Sequence, residues 1–343
     1  QERFDEAAEA YRRSLEFSPN DLDAKRNLEL ALARAQRAQT ARILIETTDL
    51  TMTDIAFAAG FGSVRQFNDT IREVYAASPR ALRAASHRAA AGPLERQVEP
   101  ANTDGVVVTL RLAVRQPFAG DALMSFIGER AIPGIESWDG RTYRRSLTLP
   151  GGFGVIGLVA HADHVVARIE LSAWSDLGVA VQRIRRLLDL DADPAAVDAA
   201  LGSDPALAPL VHAVRGRRAP SSIDPYETAV RAVIGQQVSV AGARTVAGRI
   251  VAAVGRPLST ADGEITRCFP RPDELVDASD DSFSMPRARR DTIRRVAGAV
   301  AAGDLDLGIG ADPSTVHRQL LGLKGIGPWT ADYVLMRGLG HPD

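Results

Sequence analysis

Apolar positions recur at helical spacing through most of the chain, and the places where that spacing fails mark its organisation. In residues 1–39, Phe4, Ala7, Tyr11 and Leu15 share one face, Ser18-Pro19-Asn20-Asp21 breaks the pattern, and Leu22, Leu28 and Leu32 resume it. A helical hairpin is predicted. In residues 40–88, Thr51-Met52-Thr53-Asp54 and Ser63-Val64-Arg65-Gln66 match the capping box, in which a hydroxyl caps a helix and a later side chain reaches back. Two short helices should start there and cross through the turn at Gly60-Phe61-Gly62, as in a helix-turn-helix. The second buries Val64, Phe67, Ile71 and Val74 or Tyr75, and turns Arg65, Gln66, Asn68, Asp69 and Arg72 outward. These residue types read base edges and phosphates, although a helix-turn-helix also serves as a pure packing motif.

Residues 89–105 lack periodicity, hold two prolines and read as a linker. Alternating runs then appear at Val106–Val114, Arg144–Leu149, Gly154–Ala160 and Val165–Leu171, interrupted by a helical stretch near 119–130. A small α+β domain over 106–204 follows. From about 173 the period is helical, with breaks at Asp193-Pro194, Asp204-Pro205, Asp224-Pro225, Arg256-Pro257, Arg271-Pro272, Met285-Pro286 and Asp312-Pro313. Residues 205–343 therefore predict an all-α bundle, and the fold class is multidomain and mostly α.

Composition narrows the choices. With 45% hydrophobic and 24% charged residues over 343 positions, neither wholesale disorder nor a membrane protein fits. Apolar runs such as Gly151–Ala160 fall far short of the roughly 20 residues a spanning helix needs, and no export signal is visible. A cytoplasmic, nucleoid-associated location is expected. Cys268 is the only cysteine, which excludes an internal disulfide, a cysteine-rich zinc site and a cluster held by four thiolates. The net charge of −2 leaves any polyanion binding to local patches. The sequence starts at Gln1 and stops at Asp343 within an unfinished helical domain, and a fragment is expected.

Three segments of the bundle suggest a DNA backbone and a base. In Leu321-Gly322-Leu323-Lys324-Gly325-Ile326-Gly327-Pro328-Trp329-Thr330-Ala331 a helix ends, a tight turn follows and a new helix opens. Gly325 and Gly327 clear side chains from the approach, so that backbone N–H groups, with Thr330 beside them, can hold a phosphate oxygen; a glycine-rich turn between packed helices is the plainer alternative. Asp224–Ser239 is a helix running into Gln236-Gln237, which by itself is equally a surface helix end. Met285–Arg295 sets five arginines against Asp291, with Arg287 and Arg289 as phosphate candidates. A charge run is also commonly a solvated helix face, and Lys25 and Lys324 are the only lysines, so an arginine bias runs through the whole chain.

Several of these motifs resemble known families. Ala7, Tyr11, Ser14, Pro19 and Asn27-Leu28 resemble part of a tetratricopeptide repeat; since about 3 repeats are needed to bury a solenoid core, the piece alone should form no peptide groove. The stretch Ile55–Ser63 through Phe67, with Ile71-Arg72, Tyr75 and Ser78-Pro79-Arg80, resembles the helix-turn-helix of AraC-type regulators, which normally carry two such units. With one visible, weak half-site binding to promoter DNA is implied. Phe118-Ala119-Gly120-Asp121, Ile135-Glu136 through Tyr143-Arg144-Arg145, and Trp174 resemble the N-terminal domain of the 3-methyladenine DNA glycosylase II family, and the 321–331 motif resembles the helix-hairpin-helix of that superfamily. The combination is similar to fused adaptive-response proteins for alkylated DNA.

That resemblance implies hydrolysis of the N-glycosidic bond of alkylated bases of the 3-methyladenine type, by base flipping in double-stranded DNA. Gln237, with Gln236 beside it, would enter the gap left by the extruded nucleotide. Trp329 occupies the position at which base-removing lyases of the superfamily carry a lysine, and an indole cannot form a Schiff base, so a monofunctional glycosylase is implied. Trp329 and Tyr333 would wall the base pocket, suiting a cationic purine. No cofactor and no catalytic metal are implied; a monovalent cation at the carbonyls of Leu321, Leu323 and Ile326 is. The family's catalytic aspartate is expected beyond Asp343, Asp332 and Asp343 being poor substitutes, so the chain as given is expected to bind without performing chemistry. Two rivals stand: a regulator whose glycosylase half only grips DNA, and a protein-interaction arm at residues 1–39 with an unidentified partner. Cys268, expected between helices, lies in no methyl-acceptor motif, which disfavours direct methyl transfer.

Overall fold

A computed structural model of the chain describes residues 21–47, 50–89, 98–100, 106–308 and 310–341. Two compact units are present, one built from the first 106 residues with 173–182, the other from 107–172 with 183–343. The tetratricopeptide resemblance and the first helix of the expected hairpin lie on residues 1–20, outside the described residues, as does most of the 89–105 linker.

In the first unit, α1 (Leu22–Thr47) runs unbroken across the boundary expected between 39 and 40. No glycine or proline interrupts Arg34–Ile45, so nothing stops the helix there. α2 (Met52–Ala58) and α3 (Val64–Tyr75) form the helix-turn-helix, followed by α4 (Pro79–Ala89). Thr51 and Ser63 are the caps: their side chains accept the N–H groups of Asp54 and Gln66, each at 3.1 Å. Each such cap contributes roughly 1 kcal/mol. Gly60, at φ +79°, makes the left-handed turn, and Phe61 meets Phe67 edge-on at 5.6 Å. Phe67 and Ile71 are fully buried with Leu44, Ile45 and Ile55, which fixes which face of α3 points outward.

In the second unit an antiparallel sheet is formed by β1 (Val106–Ala113), β2 (Glu136–Trp138), β3 (Tyr143–Leu149), β4 (Gly152–Ala160) and β5 (His164–Leu171), ordered β1-β5-β4-β3-β2. α5 (Gly120–Gly128) packs on it through Leu123, Met124 and Ile127. Strand β2 escaped the alternation analysis because it is only 3 residues long.

The helices that follow are α6 (Leu177–Leu187), α7 (Pro194–Gly202), α8 (Ala208–Ala213), α9 (Pro225–Ile234), α10 (Val240–Val254), α11 (Pro272–Asp277), α12 (Arg287–Ala302), α13 (Pro313–Gly322) and α14 (Pro328–Val334). Asp193, Asp224 and Asp312 cap α7, α9 and α13 with a proline at the first helical position, as the acid-proline breaks predict. The bundle core gathers Val230, Val233, Ile250, Val251, Ile293, Val296, Leu320 and Val334.

The expectation of an all-α bundle is corrected by a hairpin, β6 (Arg256–Asp262) with β7 (Ile265–Cys268). Arg256-Pro257 opens a strand instead of a helix, and a register irregularity between Pro257 and Asp262 spoils the alternation that would have announced it. Cys268 therefore ends a strand and is buried beside Val155 and Ile265. Among the described residues no helix is long and apolar enough to cross a membrane.

Candidate nucleic-acid interface

The bundle brings two loops together. The first follows α9. Asp224 caps this helix by accepting the N–H groups of Tyr226 and Glu227 at 2.9 and 3.2 Å, and the helix ends at Gly235. Gln236 and Gln237 then turn the chain into α10, which Ser239 caps by accepting the Gly242 N–H at 3.1 Å. Gln237 adopts a left-handed φ of +56° at the exposed tip, beside the exposed Val238 and Val240.

The second loop joins α13 to α14. The Leu323 carbonyl accepts the Ile326 N–H at 3.0 Å, and the Gly327 carbonyl accepts the N–H groups of Thr330 and Ala331, both at 3.0 Å, opening α14. Among the described residues the N–H groups of Gly325 and Gly327 meet no acceptor. The two glycines serve different ends. A Cβ on Gly327, whose φ is −99°, would meet nothing within 4 Å, so its surface is open to an incoming oxygen. A Cβ on Gly325, at φ +101°, would stand 2.0 Å from Thr292 Oγ1. Gly325 is thus demanded by packing on α12, whereas Gly327 keeps the approach clear.

Gln236 ties the loops. Its side-chain amide donates to the Gly325 carbonyl and to Thr330 Oγ1, both at 3.1 Å, while its own carbonyl accepts Arg289 Nη2 at 2.6 Å. Gln236 is a brace and leaves the exposed tip to Gln237. Thr330 is buried, and its Oγ1 accepts from Gln236. Arg289 gives one of its five N–H groups to a main-chain carbonyl.

The rest of the arginine run behaves alike. Arg290 and Arg294 pair with Asp280 at 2.8 and 2.7 Å, and Arg295 donates to the Lys324 carbonyl at 3.1 Å. Those two guanidiniums, the Arg294 hydrogen bond foremost, hold the Asp280 carboxyl below its usual range. Arg287, its side chain 86% exposed and 3.7 Å from Asp291, remains the free-facing member.

Between α9, α10 and α14 lies a cleft of about 250 Å³, lined by Ala232, Ile234, Val238, Val240, Arg130, Arg231, Arg244, Trp329 and Tyr333 among others. Trp329 is 67% exposed. Its ring stacks on Tyr333 with centroids 5.3 Å apart and planes 18° from parallel. Placed one helical turn apart on one face, they stack into a single two-ring wall.

Beneath the cleft sits a buried ion cluster. Glu136 accepts the Tyr143 hydroxyl at 2.6 Å, the Ile132 N–H at 2.7 Å, and Nη1 of both Arg145 and Arg231 at 3.0 Å. Glu227 accepts Arg145 Nη2 at 2.6 Å and Arg231 Nη1 at 3.0 Å. Burial by itself would raise the Glu136 carboxyl; the Arg231 and Arg145 guanidiniums, then Tyr143 and Ile132, outweigh it and hold the group below the usual carboxylate range. Two carboxylates against two guanidiniums make the cluster neutral; the Arg231–Glu136 and Glu227–Arg145 pairs tie α9 to the sheet, and Arg231 also donates to the Arg130 carbonyl, in the turn after α5, at 2.9 Å.

Comparison with known proteins fits this arrangement. A model of the AlkA N-terminal domain matches residues 109–224, and one of a helix-turn-helix domain matches 30–85. The DNA-3-methyladenine glycosylase 2 of Escherichia coli is 31% identical over 227 residues, covering 65% of this chain and 78% of that protein. The chain belongs to the DNA-3-methyladenine glycosylase 2 family.

A probable bifunctional transcriptional activator/DNA repair enzyme AlkA of Mycobacterium tuberculosis is 48% identical over 314 residues, 92% of this chain; the chain spans 62% of that relative's length. The 3-methyladenine DNA-glycosylase structure from Archaeoglobus fulgidus shares the fold of this family member, with a TM-score of 0.60 at 21% identity over 67% of this chain and 80% of that one.

Within this family frame, one aromatic escaped sequence reasoning. Phe126 on α5 is 37% exposed, capped by the Arg130 guanidinium at 3.7 Å and approached by that of Arg337 at 5.5 Å. It lines a pocket together with Tyr333. Its signal was being out of phase: Leu123, Met124 and Ile127 carry the buried stripe of α5, and Phe126 falls off it.

Of the three carbonyls expected to hold a monovalent cation, that of Leu323 accepts the Ile326 N–H at 3.0 Å. Among the described residues no group of three or more His, Cys, Asp or Glu side chains is placed to hold a metal ion. In the helix-turn-helix, Arg65 is exposed over 94% of its side chain and lies 3.9 Å from Asp69. Gln66 faces solvent, but its Oε1 accepts the Gly62 N–H at 3.1 Å, a commitment to the cap; Asn68 is half-buried.

Proposed function

We propose that this protein is a monofunctional glycosylase for alkylated bases in double-stranded DNA, with a helix-turn-helix that reads promoter sequence. The observation that carries the reading is the open Gly327 surface with its unpaired N–H groups, set beside the exposed Trp329 ring and braced to the Gln237 tip. A phosphate oxygen at Gly325 and Gly327 would receive charge-assisted hydrogen bonds. Gln237 would fill the vacated stack by both packing and hydrogen bonding, and the flipped base would lie against the outer face of the Trp329–Tyr333 pair. Trp329 stands where a lyase needs an amine, so the sugar is left intact after base loss.

The developing sugar cation calls for a carboxylate. Asp332, the acid on α14, is engaged with His317 Nε2 at 2.9 Å and is not assigned that role. In the other unit, Arg65 is the residue best presented to base edges, with Asp69 as its neighbour.

Gly327→Ala tests the grip. A Cβ there meets no protein atom, so the variant should melt with the parent, yet bind duplex carrying an abasic analogue about 10-fold more weakly at low salt, the cost of one charged hydrogen bond. Unchanged affinity would remove the phosphate role and with it the reading.

A further inference from the structure

The brace made by Gln236 does more than fill a gap. Its amide group spends both N–H bonds on the hairpin, one on Gly325 before the turn and one on Thr330 after it, each at 3.1 Å. Its backbone carbonyl is held by Arg289 of α12 at 2.6 Å. The same helix holds the other side of the hairpin, since Arg295 Nη1 donates to the Lys324 carbonyl at 3.1 Å and Thr292 Oγ1 lies 3.2 Å from it, sharing its one proton with the Ala288 carbonyl. Gln237 comes next in the chain, in a left-handed conformation and exposed, so its direction depends on a main chain pinned one residue earlier.

Hydrogen bonds weaken steeply beyond about 3.5 Å, so a sub-ångström shift of the hairpin either breaks the Gln236 bonds or carries the tip with it. Tip and hairpin face the same ligand on this account, and the linkage has a direction set by chemistry. A hairpin seated on a phosphate holds Gly325 and Thr330 still, and thereby holds residue 236 still; a hairpin without one does not.

Resting on the DNA-gripping reading above, we propose that Gln236 is a positioning residue that couples phosphate capture at the 323–330 hairpin to insertion of Gln237. The tip then enters the helix preferentially where the backbone already fits the hairpin. Such a coupling makes recognition depend on backbone shape at the lesion and not on the tip's own affinity for a gap.

A double-mutant cycle tests this. Gly327→Ala perturbs the phosphate end and Gln237→Ala the tip; alanine and glutamine bear a similar strain at positive φ. Affinity for an abasic-analogue duplex is measured for both single variants and the double variant, in the parent and in Gln236→Glu, which keeps the shape and loses the donors. A 2-aminopurine beside the abasic site reports unstacking at saturating protein.

In the parent, the double variant should bind about fivefold or more tighter than the product of the single effects predicts, and Gly327→Ala should dim the distant 2-aminopurine signal. In Gln236→Glu the two effects should multiply. Thr330→Val removes one acceptor without touching Gln236, and serves if Gln236→Glu melts early; it should reduce the coupling, and Thr330→Ser should restore it. Multiplicative effects in the parent, or a coupling that survives both Gln236→Glu and Thr330→Val, would overturn the proposal while leaving the glycosylase reading intact. If Gly327→Ala leaves affinity unchanged, the reading beneath it falls as well.

Discussion

The hydrogen atom that Gly325 carries in place of a side chain is what allows Thr292 to close the hairpin: a Cβ would lie 2.0 Å from Thr292 Oγ1, whose single proton is shared between the Ala288 carbonyl at 2.9 Å and the Lys324 carbonyl at 3.2 Å. Gly325→Ala adds this clash to a left-handed φ, and we expect a loss of about 2–4 kcal/mol from the two combined. Denaturant unfolding is the measurement. Thr292→Ala in the same background should return part of the loss, because it removes the clashing atom.

The ion cluster should govern acid stability. Glu136 is nearly fully buried and accepts from Arg231, Arg145, Tyr143 and Ile132, so Glu136→Gln, which leaves buried guanidinium charge uncompensated, should cost about 3–5 kcal/mol at neutral pH. The folded-state pKa of Glu136 is depressed. Its contribution is therefore complete above the ordinary carboxylate pKa of about 4.3 and is lost as pH falls through the lower folded-state value. Urea unfolding followed downward from pH 6 should show a steeper acid loss in the parent than in Glu136→Gln. Parallel curves would show that the cluster does not titrate this way.

Trp329 should be the dominant reporter of the cleft. At 67% exposure and stacked on Tyr333, it should give most of the iodide-accessible fluorescence, with Trp138 and Trp174 half-buried. Trp329→Phe should remove that component, and bound abasic duplex should protect it in the parent. If quenching persists in the variant, the indole is not where the cleft geometry places it.

In the helix-turn-helix, Arg65 and Gln66 should part company. Arg65→Ala removes an exposed side chain and should relax sequence preference at one base position by about 1–3 kcal/mol while leaving the melting temperature alone. Gln66→Ala removes the acceptor for the Gly62 N–H and should instead lower stability, by about 1 kcal/mol, with little change in preference. Selection from random duplexes with each variant separates the two outcomes.

What the sequence by itself determined is everything that depends on local backbone chemistry. Thr51, Ser63, Asp193, Asp224 and Asp312 announced helix starts because a capping bond joins residues two or three apart. Gly60 announced the turn between the first two, because a residue without a Cβ takes its positive φ without strain. Only the tertiary structure decided what the side chains between those signals do. Glu227 and Arg231 stand one helical turn apart on α9, a spacing that foretells their pairing, but no spacing foretells that Glu136 and Arg145, from two strands, join them. Of five arginines in one helix, the sequence marked Arg287 and Arg289 as phosphate candidates; only the packed chain shows that Gln236, Asp280 and Lys324 engage four of the five. The strand at Arg256–Asp262 was hidden by its own register irregularity. Capping is set by dihedrals a few bonds apart, whereas pairing, stacking and bracing are set by which surfaces the core brings into reach, and that is a property of the packed chain alone.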